Sequence, residues 1–261
     1  MIDISDKNYV LNEQYSDDAN LNDRIQLHLR FSTNSCRWTR WLFDRFDFSD
    51  AATMLELGSG PADLWQDNLD RIPDGLEITL SDFSPGMVEA ARKRLRESDH
   101  PFKFEQVDAQ SIPFGDATFD IVTANHMLYH IPNLNQALSE IRRVLKPGGR
   151  FYAATNGRSH LLELRQLIGK FNPAAFQFLT DSFYLGNGAK VLSRWFPTVS
   201  LHTYENNLLV TDADALYAYV SSSPRLSAEQ LARFKRHLKK MFAQQDTFHI
   251  TKSSGLFEAQ R

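Results

Sequence analysis

The chain of 261 residues has one cysteine, Cys36. A single thiol excludes an internal disulfide and a cysteine-built zinc cage. No apolar run approaches the length a bilayer span requires, about 20 residues. The opening segment, MIDISDKNYVLNEQYSDDAN, is polar and acidic and lacks the basic start and apolar stretch of an export signal, so a cytoplasmic location and no membrane partner are expected. Nor is there an excess of one charge. The 29 Lys and Arg against 32 Asp and Glu leave a net charge of −3, which is not the field of a protein that lives on phosphate backbones. Internal repeats and low-complexity tracts are lacking too. What remains is an ordinary globular composition, 42% hydrophobic and 23% charged, in a chain long enough for one large α/β domain.

From about Ala51 to Asn156, short apolar runs alternate with amphipathic stretches, the pattern of a parallel sheet covered on both faces. Strands are expected at Thr53–Leu57, Glu77–Ser81, Phe102–Val107, Phe119–Thr123 and Arg150–Thr155. Helices are expected at about Ala62–Arg71, Pro85–Glu97 and Leu134–Leu145, the last stopped by Lys146-Pro147-Gly148-Gly149. Ahead of this core, Asn22–Phe46 carries helical spacing at Trp38, Trp41, Leu42 and Phe46. Its aromatic stripe belongs to core packing more readily than to a ligand. After the core, helices are expected at about Ser159–Lys170, Gly188–Phe196, Asp212–Val220 and Ala228–Gln244. Strands are expected at Val199–Glu205, extended or paired by Asn207–Val210, and at Thr247–Thr251. Residues 1–50 then read as an N-terminal helical cap or lid, and 51–261 as one domain with a helical insertion at about 212–245.

The stretch MLELGSGPADLW, Met54 to Trp65, places a glycine loop between a buried strand and a helix. Ligands bind there in doubly wound proteins, because strand ends and helix amides converge. Gly58 and Gly60 allow the backbone to approach a ligand more closely than a Cβ permits. Alone, two glycines are a weak signal. Asp82, in TLSDFSPGM, ends the next strand, where a carboxylate accepts from both hydroxyls of a ribose. Asp108, in FEQVDAQSIPF, ends the third, where it accepts from an adenine amine while Ala109 offers a backbone amide. Asn125 and His126, in IVTANHMLYHI, end the fourth. Any one carboxylate is as easily a turn or cap residue; three polar tips in register with a glycine loop are not.

These motifs, ELGSG, SDFSPGM, DAQSIPF, FDIVTANHMLYHI and EIRRVLKPGGR, resemble the small-molecule group of the class I S-adenosylmethionine-dependent methyltransferases. The resemblance runs from roughly Tyr15 to the C-terminus and is most specific between Met54 and Phe151. It implies a doubly wound, mostly parallel α/β sheet of seven strands in the order 3-2-1-4-5-7-6, the last antiparallel. Val199–Glu205 and Thr247–Thr251 are then the final two strands. It further implies that Glu56 orients the methionine end of S-adenosylmethionine and that the backbone of Gly58, Ser59 and Gly60 lines it. Asp82 would hold the ribose, Phe83 and Met87 flank the adenine, Asp108 and Ala109 hold its edge, and the backbone around Asn125 receive the amino group. One departure is Ala62, where the family usually has a third glycine. An alanine in left-handed conformation there would cost on the order of 1–2 kcal/mol, so Pro61 and Ala62 are expected to belong to the first helical turn.

Methyl transfer is an in-line displacement that needs positioning first, and a hydroxyl acceptor also needs a base. His126 and His130 are the candidates, since they follow the fourth strand into the cleft. Their spacing shares one face if the segment is helical, although His130 is also easily a satisfied structural group. Tyr15, His28 and Arg30 are candidates for a lid that excludes water and selects the acceptor. No histidine has the spacing of a metal site. The aromatic content of the cap and of Phe171–Tyr184 implies a partly apolar pocket for a small organic acceptor, such as a natural-product or quinone-like ring, methylated on oxygen or nitrogen.

Three other functions compete. A nicotinamide-dependent oxidoreductase would need a small residue where Asp63 stands, because a carboxylate opposes a pyrophosphate. An RNA methyltransferase would draw on the basic segment Arg225–Lys240, which is more simply a solvated helix carrying Leu231, Phe234 and Leu238 inward. That class also uses an Asn/Asp-Pro-Pro-Tyr/Phe motif, and here the fourth strand ends in Asn125-His126-Met127-Leu128. A non-catalytic cofactor-binding protein of the same fold would keep Glu56, Asp82 and Asp108 unchanged.

Overall fold

A computed structural model describes residues 26–176, 181–222 and 226–261. Tyr15 and Arg225 lie outside the described residues. The strands are β1 (Thr53–Leu57), β2 (Glu77–Asp82), β3 (Lys103–Gln106), β4 (Phe119–Asn125), β5 (Leu145–Asn156), β6 (Thr198–Tyr204), β7 (Asn207–Val210), β8 (Phe248–Thr251) and β9 (Ser254–Gln260). The helices are α1 (Trp38–Phe43), α2 (Asp63–Gln66), α3 (Pro85–Arg94), α4 (Leu134–Val144), α5 (Leu162–Gly169), α6 (Gly188–Leu192), α7 (Ala213–Ser221) and α8 (Ala228–Phe242). Residues 26–31 are helical as well. The long aromatic stretch before the core is therefore two helical pieces; Trp41, Leu42 and Phe46 are buried, as core packing requires, and Trp38 is half-buried.

The chain forms two compact units. One holds the described residues of 38–157, 181–204 and 254–261; the other holds those of 26–37, 158–176 and 205–253. This division differs from a cap at 1–50 followed by one domain at 51–261. Trp38–Phe43 belongs with the sheet, and the segments after β5 and β6 group with residues 26–37.

The first unit is built on a seven-stranded sheet of order β3-β2-β1-β4-β5-β9-β6. All neighbours are parallel except β9, which runs antiparallel to both β5 and β6. This is the doubly wound order expected, with one correction. The antiparallel strand is Ser254–Gln260, not Thr247–Thr251. Phe248–Thr251 instead pairs antiparallel with Asn207–Val210 as a two-stranded ladder in the other unit. β9 has buried residues on both faces, so it lacks the alternation that marks a half-exposed strand. Gly255 is required within it, because a Cβ there would lie 2.7 Å from the His202 carbonyl oxygen.

β1 and β4 are apolar and almost wholly buried, as central parallel strands must be. α4 lays Ala137, Leu138, Ile141 and Val144 on the sheet, one stripe of a 3.6-residue period. Its Asn133 side chain caps the first turn by accepting from the Gln136 amide. α3 begins with Ser84 as cap and Pro85 in the first turn. The helix expected over Ala62–Arg71 is broken. α2 ends at Gln66 and a separate short turn covers Leu69–Arg71. Between them the buried Asn68 side chain donates to the carbonyl oxygens of Leu64, at 2.7 Å, and Thr39, at 3.2 Å, competing with helix continuation.

The second unit has its own core, including Leu27, Leu164, Leu208, Leu216, Phe234 and Ile250. α8 opens with a reciprocal capping box between Ser227 and Gln230. It buries Phe234 and Leu238 and exposes Arg233, Lys235, Arg236, Lys239 and Lys240, the arrangement of a solvated basic face. Among the described residues, no helix is long and apolar enough to cross a membrane, and no group of three His, Cys, Asp or Glu is placed to hold a metal.

Candidate cofactor and methyl-transfer site

Glu56 lies in β1, directly between Leu80 of β2 and Thr123 of β4. It is a buried carboxylate, which in the absence of partners would be costly. The Trp65 indole N–H donates to Oε2 at 2.5 Å and the Asn125 amide donates to Oε1 at 2.8 Å. Burial nevertheless pushes its pKa up to about 6; these two donors pull it down and neighbouring Asp82 adds to the rise. The other end of the Asn125 amide, Oδ1, is a buried acceptor with no hydrogen-bond partner among the described residues. A buried carboxylate beside an unused carbonyl oxygen suits a cationic donor such as an ammonium. That fits the amino-acid end of S-adenosylmethionine.

After β1 the chain turns through three left-handed residues, Gly58 (φ 70°), Gly60 (φ 54°) and Ala62 (φ 64°). The two glycines serve different ends. A Cβ on Gly58 would lie 2.8 Å from the Met127 Cβ, so its bareness is demanded by packing. A Cβ on Gly60 would meet nothing within 4 Å, which leaves its face open to a ligand. Ala62 corrects the sequence expectation: it is not in the first helical turn. It is the residue before α2, at φ 64° and ψ 33°, and its carbonyl already accepts from the Trp65 and Gln66 amides. The turn that a third glycine would make is thus kept by an alanine under strain. Asp63 starts α2 and pairs with Arg94.

Asp82 ties this loop to the sheet. The Gly60 amide donates to Oδ2 at 3.0 Å and the Ser84 amide to Oδ1 at 2.9 Å, while the Ser59 amide donates to the Ser81 carbonyl at 2.9 Å. Burial holds the Asp82 pKa above the ordinary carboxylate range, against the lowering by the backbone amides of Ser84, Gly60 and Phe83. Three backbone donors still leave acceptor capacity on a carboxylate with about four lone-pair sites. Asp108 follows β3, whose end is fastened to β2 by the Val107 amide donating to the Asp82 carbonyl at 3.1 Å. Asp108 accepts from the Gln110 amide at 3.0 Å, as a turn residue does. Near these tips Met87 and Ala109 are buried and Phe83 is half-buried. Glu56, Gly58, Ser59, Gly60, Asp82, Phe83, Met87, Asp108, Ala109 and Asn125 all lie in the sheet unit, at or just beyond the ends of β1 to β4.

His126 follows β4 at once, in left-handed conformation (φ 57°), with its amide donating to the Ala154 carbonyl at 3.0 Å. His130 ends a single tight turn, Leu128–His130, and its ring lies 4.6 Å from that of Tyr129. The segment from His126 to His130 is therefore not one helix, and the shared-face argument does not hold. The other unit contains the two remaining candidates. His28 Nδ1 lies 3.3 Å from Lys252 Nζ, and its ring meets that of Tyr219 edge-on; Arg30 pairs with Asp212 at 2.8 Å. Sequence reasoning missed Trp65, Trp38 and Tyr204. Trp65 holds Glu56, and the Trp38 ring lies 5.3 Å from His126 and 5.1 Å from Tyr204. Trp65 sat within the glycine-loop stretch itself, but nothing local tells a tryptophan that donates to a carboxylate from one that only packs.

Residues 55–153 match the methyltransferase domain family. The chain is 28% identical over 172 residues to a demethylmenaquinone methyltransferase of Clavibacter sepedonicus, a match covering 60% of this chain and 70% of that protein. It is 31% identical over 152 residues to a ubiquinone/menaquinone biosynthesis C-methyltransferase of Geobacter sulfurreducens, covering 58% of this chain and 59%, under two thirds, of the relative. Among solved structures, phosphoethanolamine N-methyltransferase 2 of Haemonchus contortus, in complex with S-adenosyl-L-methionine, superposes with a TM-score of 0.61 at 18% identity, covering 100% of this chain and 60% of that one. At that identity the likeness shows the fold alone. Residues 55–153 are thus similar to a methyltransferase domain, and the seven-stranded sheet around them has the fold of a solved S-adenosyl-L-methionine-bound methyltransferase.

Proposed function

We propose that this chain methylates a small organic acceptor, and that the acceptor atom is a ring carbon of a quinol-like compound. The observation that carries the first part is the Glu56 carboxylate, buried and held by Trp65 and Asn125 at the base of the glycine loop. It is suited to a cofactor with a cationic end and no phosphate. The second part replaces oxygen or nitrogen by carbon as the favoured acceptor, and its support is the quinone C-methyltransferase named among the relatives.

S-adenosylmethionine, when bound, supplies an electrophilic methyl on a positively charged sulfur. The residues of the chain position it. Glu56 and Asn125 Oδ1 receive its ammonium, Asp82 its ribose hydroxyls, and Asp108 with the Ala109 amide its adenine edge, between Phe83 and Met87. The open Gly60 and the Ser59 backbone line the path between. A ring carbon of a quinol attacks best when the ring hydroxyl has lost its proton. His126, at the end of β4 and beside the tip that carries Asn125, takes that proton in this reading, and His130 is the second candidate.

Stabilisation by S-adenosylmethionine or S-adenosylhomocysteine but not by NAD(H), in a thermal melt, tests the cofactor. Labelled-methyl incorporation into reduced demethylmenaquinone tests the acceptor. Label on oxygen or nitrogen in place of ring carbon refutes the carbon reading, and full activity in His126→Ala refutes the base. Turnover with any acceptor separates the enzyme from a non-catalytic binder. RNA affinity falling steeply with salt would instead favour the nucleic-acid alternative.

A further inference from the structure

In the sheet order, the residues assigned to the cofactor occupy the tips of β1, β2 and β3, with Asn125 of β4 at the border. The tips of β4, β5, β9 and β6 remain for the acceptor. At that edge stand His126 after β4, Asn156 ending β5, Ser254 starting the antiparallel β9, and Tyr204 ending β6. Ser254 Oγ donates to Asn156 Oδ1 at 2.7 Å, so these two polar groups answer each other. Trp38 lies against both flanking members, with its ring 5.3 Å from His126 and 5.1 Å from Tyr204.

The ring is held in place from behind. Trp38 stacks on Trp41 at 5.2 Å with only 16° between the planes, Trp41 also meets Tyr204 at 5.3 Å, and the Arg45 guanidinium lies 4.9 Å over the Trp41 ring. Trp41 and Tyr204 are 8% and 4% exposed. Trp38 alone of the three rings is half-buried. It is therefore the one that retains accessible surface, backed by the buried Trp41 and next to the histidine at the end of β4.

We propose that Trp38 is the stacking platform for a planar aromatic ring of the methyl acceptor. This deepens the methyl-transfer reading above and rests on it. The geometry favours a flat ring over a quaternary ammonium. A cation needs ring faces that converge around it, whereas Trp38 and Trp41 are nearly parallel and the Trp41 ring already carries Arg45. A flat ring needs one firm face and gains from offset stacking.

The test is calorimetric binding of naphthol to protein saturated with S-adenosylhomocysteine, with decahydronaphthol and tetramethylammonium as the saturated and cationic counterparts. Naphthol should bind the wild type at least about tenfold more tightly than either counterpart. Trp38→Ala should weaken naphthol about tenfold, and Trp38→Phe less than about threefold. S-adenosylhomocysteine affinity should change less than about twofold in both, which also reports that they fold. Should Trp38→Ala lose that affinity, Trp38→Leu, with bulk but no ring, takes its place and must show the same loss of naphthol. Unchanged naphthol binding without the ring, equal binding of decahydronaphthol, or wild type that takes S-adenosylhomocysteine but not naphthol overturns the platform alone. Wild type that fails to bind S-adenosylhomocysteine overturns the methyl-transfer reading instead.

Discussion

Gly58 and Met127 lie so close that a Cβ on the glycine would be 2.8 Å from the methionine Cβ and 2.9 Å from its Cγ. The loop after β1 is thereby fitted against the turn that carries His126. Gly58→Ala meets two penalties: a left-handed alanine, about 1–2 kcal/mol, and overpacking, about 1–3 kcal/mol. We expect a loss of about 2–5 kcal/mol in urea unfolding with an unchanged slope, and weaker cofactor binding in the protein that remains folded. A loss under about 1 kcal/mol would show that the two segments part easily.

Glu56 gives a pH-dependent prediction. Its pKa is about 6 when folded against 4.5 for the ordinary group, so the folded state disfavours the charged form. Below about pH 4.5 both states are protonated and its contribution is fully present. As pH rises through 6 that contribution is lost, by about 2 kcal/mol for this shift. Glu56→Gln has no such titration. A glutamine can accept from Trp65 and donate to Asn125 Oδ1 once that amide turns over. The variant should therefore match the wild type near pH 4.5 and exceed it in stability by about 2 kcal/mol at pH 7, while binding S-adenosylmethionine at least about tenfold more weakly. A constant stability difference from pH 4.5 to 7 would contradict the raised pKa.

Ala62→Gly distinguishes a left-handed residue from a helical one. Relief of about 1–2 kcal/mol of strain is offset by loss of one buried methyl, about 0.8 kcal/mol, and by a floppier unfolded chain, about 0.4–1 kcal/mol. The variant should unfold within about 0.5 kcal/mol of the wild type, because these opposing terms are of similar size. At a helical position the same change should cost about 2 kcal/mol.

Asp82→Asn keeps one acceptor but turns an amide against either the Gly60 or the Ser84 N–H. A stability loss of about 1 kcal/mol is expected, with a much larger loss of S-adenosylhomocysteine affinity, about tenfold or more, because the ribose loses a charged acceptor. An unchanged cofactor Kd would confine Asp82 to fastening the loop.

The central strands were legible in the sequence because each is a short apolar run with a polar residue at its tip. Thr53–Leu57 emerged with the expected bounds, and Glu77, Phe119 and Leu134 begin the elements expected of them. The residues assigned to the cofactor lie where expected in the fold for the same reason, at or just beyond strand ends. Pairing between distant segments was not legible. Thr247–Thr251 looks more like a strand than Ser254–Gln260, yet only the latter enters the large sheet. Ala62 was misread in conformation because tertiary demands set its positive φ against local preference, and His126, whose conformation the sequence left open, is left-handed as well. Trp38 showed only a helical stripe, and its neighbours His126 and Tyr204 come from remote parts of the chain.

Tyr204, the last residue of β6, pairs with Ser254, the first of β9. Everything from Glu205 to Ser253 thus departs from and returns to adjoining positions on one rung of the ladder. Such a segment is a cassette. Its two ends leave the register of the sheet untouched, while its interior answers to a different core, shared with Leu27 and Leu164.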